Sequence, residues 1–207
     1  MALAGGVGCK MLIPFAIMGE HTQKMPPEYD KLPGKRAVIC VWSPQEILFD
    51  YPLLRMEISG HIADRINTKV KEADIVDVRK VEDYFQRTLT LSVDPTLVGR
   101  EFNAELVIYL EITDFHIRDP EAPDVVRAKA AASVTVYDLS VEGDDPRQFE
   151  LEPVSAEYPE HGALQLTDTN VLVARKQVYE KFAELVARKF YTYEVDMQSG
   201  EEKDKKK

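Results

Sequence analysis

Two cysteines in 207 residues, Cys9 and Cys40, cannot supply a disulfide framework or the repeated Cys/His spacing of a zinc site. Cys40 lies inside the apolar run AVICVW and reads as a small buried hydrophobe. Basic charge is also short: 26 Lys and Arg stand against 36 Asp and Glu, a net charge of -10. That excess of acid argues against nucleic acid as a partner, since phosphate recognition needs a basic surface. The Lys-rich end, residues 203–207 with Asp204 inside it, is too short to reverse this. No apolar run reaches the ~20 residues of a spanning helix. Ser43, Ser59 and Ser155 lack the flanking glycines of a nucleophile elbow. Gly5, Gly6 and Gly8 fall near the amino terminus rather than between a strand and a helix, so a phosphate-binding loop has no support. No internal repeat is present. No catalytic motif and no cofactor are implied.

Residues 1–18, MALAGGVGCKMLIPFAIM, carry Lys10 as their one charge. The stretch reads as an apolar leader or truncated signal with small residues leading to Cys9. GVGC resembles a bacterial lipoprotein cleavage box, in which small residues precede a cysteine that is lipidated, although Gly6 stands where such boxes usually have Leu. The alternative is an apolar leader with an incidental cysteine. Residues 19–34, with Pro26, Pro27 and Pro33, read as a tether. Residues 35–195 read as a single domain, and residues 196–207 as a disordered tail.

The domain's periodicities predict its elements. AVICVW, bounded by Gly34 and Ser43-Pro44, has no polar alternation and suits a strand covered on both faces. Over residues 50–71, Leu54, Ile58, Ile62, Ile66 and Val70 recur every fourth position, predicting one long helix that Asp50 caps and Pro52 opens. ADIVDV (residues 73–78) predicts a second strand. Val81–Arg87 predicts a short helix, and Asp94-Pro95 opens another. In residues 106–115 the row Leu106, Ile108, Leu110, Ile112 alternates with Val107, Tyr109, Glu111, Thr113, a central strand with one buried face. Residues 127–139 alternate more cleanly still and predict its antiparallel partner. The alanines 128, 130 and 132 imply a helix pressed closely on that face. Residues 148–156 predict a further strand, and Pro153 places it at an edge. A closing helix is predicted over residues 170–191, with cap candidates from Thr167 to Asn170. The fold class is therefore α/β, an α+β sandwich: a mixed sheet of about four or five strands with two long helices packed on it.

That order of elements, with VICVW opening the domain and GREFNAELVIYLEITDF entering the third strand, resembles a group of bacterial envelope proteins. The group includes the amino-terminal domain of the TolB translocation protein, the curli secretion lipoprotein and the lipoprotein activators of penicillin-binding proteins. Gly99, Phe102, Ala104, Glu105 and Phe115 occupy places comparable to the group's strand entry; its strand glycine is absent, with Leu110 in that region. The resemblance spans residues 35–195. It implies a compact α/β domain that binds other envelope proteins and catalyses nothing. The segments between strands are short, acidic and proline-bearing, so the hairpins of a curli-type pore have no place here.

Two functional classes follow. The first is an exported interaction domain on the periplasmic side of the bacterial envelope, lipid-anchored through Cys9, touching the membrane through that anchor alone and docking an envelope protein. Its expected docking strip is the residue 148–158 edge, with Phe149 and Leu151 as the contact side chains. The second is a metal-dependent or hydrolytic enzyme built on the rim residues Asp114, His116 and Asp119, where a strand end places carboxylates and an imidazole close together. Glu157, Glu160 and His161 form a second loop cluster of the same type.

Overall fold

In the computed structural model, residues 22–88, 94–140 and 146–196 are described. The described residues fall into two compact units, Pro26–Tyr193 and a smaller one that holds Thr22–Met25 and Glu194–Asp196. Two short strands, β1 (Thr22–Met25) and β8 (Tyr193–Asp196), pair as a two-stranded sheet.

The larger unit follows the order β2 (Arg36–Trp42), α1 (Gln45–Asp50), α2 (Leu54–Lys69), β3 (Asp74–Ile75), α3 (Val78–Thr88), α4 (Pro95–Glu101), β4 (Leu106–Arg118), β5 (Val125–Asp138), β6 (Arg147–Tyr158), β7 (Leu164–Gln165) and α5 (Asp168–Arg188). Its sheet runs β3-β2-β4-β5-β6, with β7 paired to the start of β5. The mixed sheet and its helices are the architecture expected from the sequence. β2 is parallel to β3 and β4, whereas β4–β5 and β5–β6 are antiparallel.

The two faces of β2 are both covered, as its unbroken apolar run requires. Ala37, Ile39 and Val41 join α2, α5 and the buried row of β4 in the main core. Val38 and Cys40 join Val81 and Phe85 of α3 and Val98 of α4 in a smaller core on the opposite face. In β5 every second residue from Val126 to Asp138 is buried. Its alanines 128, 130 and 132 share the main core with Ala174, Phe182, Ala183 and Ala187 of α5. Small residues on both surfaces let helix and sheet approach closely, as the alanines implied.

Three expectations are corrected. The single helix over residues 50–71 is two helices, because Pro52 lacks an N–H and drives the preceding residue out of helical space. Tyr51, at φ -130 and ψ 70, ends α1. Asp50 is therefore the last residue of α1, and α2 begins after Leu53 with no side-chain cap. ADIVDV contributes a two-residue strand, and its last residue already opens α3. The segment read as a tether is docked from Pro26 onward, where it belongs to the larger unit. Tyr29 and Leu32 are buried in the main core, and the Lys35 N–H closes a turn on the Leu32 carbonyl at 3.1 Å. Gly34 has φ +73 there, so Pro33-Gly34 occupies the two positions that a type II turn reserves for proline and glycine. Two isolated apolar residues carry no period, so only the packing reveals them.

The caps follow the expected chemistry elsewhere. Asp94 accepts the Thr96 N–H at 2.9 Å, with Pro95 at the first helical position. Thr167 accepts the Asn170 N–H at 3.1 Å. Cys9, the rest of residues 1–18 and residues 197–207 lie outside the described residues.

Candidate docking edge and polar rim

β6 closes one side of the sheet, and its outer edge pairs with no described strand. Its register with β5 sets Phe149 opposite Val136 and Leu151 opposite Val134, both buried core positions. Phe149 and Leu151 accordingly pack against the main core. As docking side chains they are turned inward, under the helices. What β6 offers outward is its backbone and the alternate row Gln148, Glu150, Ser155 and Glu157, all exposed.

The register shifts between Ala132 and Val134, which pair with Val154 and Leu151 respectively. Glu152 and Pro153 thus bulge opposite the single residue Ser133. A bulge with a proline is a usual way to blunt an edge strand. A second device lies beside it. Glu28, from the docked segment, accepts the Glu152 N–H at 2.9 Å and the Lys189 ammonium at 2.7 Å. The next residue, Tyr29, donates its N–H to the Lys189 carbonyl at 2.9 Å. Its ring meets Phe149 edge to face at 5.3 Å, and Lys31 lies 5.4 Å over the same Phe149 ring. Neither Glu28 nor Lys189 stands out in the sequence: they are 161 positions apart, and a lone lysine at a helix end signals only a favourable dipole contact.

The rim residues fall into two places. Asp114 and His116 meet at 3.2 Å, and Lys129, which faces His116 across the β4–β5 ladder, reaches the other oxygen of Asp114 at 2.9 Å. Partial burial pushes the Asp114 carboxyl up, but the hydrogen bonds from Lys129 and His116 outweigh it and hold its pKa below the ordinary value. Asp119 is engaged separately: one oxygen accepts the Glu121 N–H at 2.9 Å, and the other lies 3.8 Å from Arg127. Among the described residues no group of three or more His, Cys, Asp or Glu is placed to hold a metal ion. In the second cluster Glu160 is drawn to Lys181 at 2.6 Å, and Lys181 also reaches the Glu157 carbonyl at 3.5 Å.

Two further features complete the polar chemistry. Burial pushes the Cys40 thiol up to about 12, far from the thiolate that redox or nucleophilic chemistry needs. A shallow groove of about 220 Å³ lies between α2 and α5, lined by His61, Asp64, Arg65, Thr68 and Glu180.

No family model matches the chain, and no curated protein matches it. Among solved structures it is similar to a single-substitution form of the PelC dodecamer from Paraburkholderia phytofirmans, at 10% identity and a TM-score of 0.46, covering 82% of this chain and 96% of that one. It is also similar to the hypothetical protein CT253 from Chlamydia trachomatis, at 16% identity and a TM-score of 0.42, covering 75% and 96%. Lipoprotein GNA1162 from Neisseria meningitidis follows at 11% identity and a TM-score of 0.38, covering 72% and 98%. At such identities and TM-scores these likenesses assign no property to this chain.

Proposed function

We propose that this chain is an exported, non-catalytic docking domain of the bacterial cell envelope. It is held to the membrane through a lipid on Cys9 and receives an extended segment of a partner protein along β6. The observation that carries this reading is the outer edge of β6, whose backbone groups no described strand takes up. Such an edge is the template for strand addition, in which main-chain hydrogen bonds supply affinity. The leader and its cysteine motivate the address. On the periplasmic side, an acidic body with a net charge of -10 would be repelled by anionic headgroups and held off the bilayer. The polar rim fits docking: Lys129 and His116 hold the Asp114 carboxyl below its ordinary pKa, and Asp114 and His116 alternate along β4 with Phe115 and Ile117 of the main core.

The test has two arms. Cells expressing the protein are labelled with a radioactive fatty acid and fractionated; Cys9→Ser is expected to abolish labelling and move the protein to the soluble envelope fraction. Photo-crosslinkers placed at Gln148 and Glu150, which point outward, are expected to trap one envelope protein, whereas a crosslinker at Asp64 on α2 is not. An unlabelled wild-type protein with an intact Met1 overturns the anchor. Turnover of a small substrate that disappears with His116→Ala overturns the docking reading and favours the enzyme.

A further inference from the structure

We propose that Glu28 is a latch on the outer edge of β6, and that the segment this edge receives carries a carboxylate opposite Glu152. The inference deepens the strand-addition reading and rests on it. Its first ground is the bulge. Pro153 brings no N–H, and the Glu152 N–H is turned away from β5 onto Glu28 at 2.9 Å. The second ground is the ammonium. The Lys189 side chain is 5% exposed, and a buried cation is costly unless paired and hydrogen-bonded. One Glu28 carboxylate therefore serves two donors, the edge amide through Oε2 and the ammonium through Oε1.

A strand that pairs across Phe149–Glu152 must displace that carboxylate. Its own carbonyl can take the Glu152 N–H, but Lys189 then has lost its counter-ion. A segment with an Asp or Glu at that register restores the pair, whereas a neutral or basic one leaves a buried charge unmatched. The edge thus selects by a penalty against wrong partners as well as by contacts to the right one. The latch moves without dismantling the fold: Tyr29 stays buried against Phe149 and Phe190, and only the Glu28 side chain, 37% exposed, has to swing to water. Pro26 and Pro27 precede it and offer no N–H, so the segment cannot itself extend the sheet.

The experiment uses the full chain, amide hydrogen exchange and two fluorescent heptapeptides of alternating Thr and Val that differ by Glu or Gln at the centre. In Lys189→Met, and in the double variant Glu28→Ala with Lys189→Met, exchange of the Glu152 amide is expected to rise by about tenfold or more while the Leu110 amide is unchanged. The double variant removes the buried charge, so it remains folded even where Glu28→Ala alone does not. Wild type is expected to bind the Glu peptide about tenfold more tightly than the Gln peptide, a preference that vanishes in the double variant. Unchanged Glu152 exchange in the double variant overturns the latch. Equal binding of the two peptides by wild type overturns the carboxylate requirement. Raised exchange with neither peptide bound by any form sinks strand addition itself and leaves the latch standing.

Discussion

Replacing Leu110 by Ala tests the central strand directly. Leu110 is fully buried and flanked in the sheet by Val41 of β2 and Val134 of β5. Losing three buried carbons, at about 0.8 kcal/mol each, sets a floor of roughly 2.4 kcal/mol. The neighbours are β-branched and stiff at χ1, so they cannot swing in to fill the void. The unfilled cavity moves the expected loss toward the upper part of the ~2–5 kcal/mol range known for buried Leu→Ala changes. Urea unfolding followed by far-ultraviolet circular dichroism gives the number from the midpoint, provided the slope is unchanged. Thr113→Ala, on the exposed side of the same strand, is the internal control and is expected to stay within about 0.5 kcal/mol of wild type. A Leu110→Ala loss below about 1 kcal/mol, or one no larger than that of Thr113→Ala, would show that the wrong face of β4 has been placed inward.

Gly99→Ala is expected to destabilise by about 1–3 kcal/mol, because an added Cβ would lie 2.6 Å from the Val107 Cγ2 and 2.4 Å from the Leu139 Cδ1; Val107 is buried and cannot yield, and a thermal scan reads the loss. Asp94→Ala removes the cap of α4 and should cost about 1 kcal/mol, while Asp94→Asn retains most of that stability. Asp114 has its folded pKa below the ordinary 3.8, so its contribution to stability is present above that value and is lost as pH falls through the folded pKa. Acid unfolding of Asp114→Asn should therefore be shallower than that of wild type below about pH 4; identical acid slopes would remove the ion pair from the account.

The parts of the fold that were legible are those where burial imposes a period. β5 alternates because one face lies under α5 and the other is partly wet, and β2 does not alternate because helices cover both its faces. The α2 stripe was legible for the same reason, yet its regularity extended the expected helix across Pro52, where backbone sterics prevail over side-chain pattern. Tyr29 and Leu32 were not legible. Tyr29 packs against Phe149 and Phe190, residues far away in sequence, and nothing local distinguishes either buried side chain from those of a linker. The Glu28–Lys189 pair was hidden in the same way, being visible only once the end of α5 and the edge of β6 are side by side.

The inward direction of Phe149 and Leu151 changes what recognition at β6 can consist of. Backbone pairing is nearly blind to sequence, so discrimination has to come from outward side chains and from any penalty attached to displacing what already occupies the edge. The outward row is polar and small, Gln148, Glu150 and Ser155, and offers no aromatic anchor of the sort that concentrates binding energy. An edge of this composition yields modest intrinsic affinity on the proposed reading, which is where an anchor on Cys9 would matter. Confinement to one surface raises the effective concentration of partners anchored there too, so a weak interface can be occupied without new contacts. It follows that Cys9→Ser and the double variant Glu28→Ala with Lys189→Met should act on occupancy through separate factors. The first lowers encounter and leaves the intrinsic dissociation constant of the purified domain unchanged, while the second alters that constant and leaves the location of the protein unchanged.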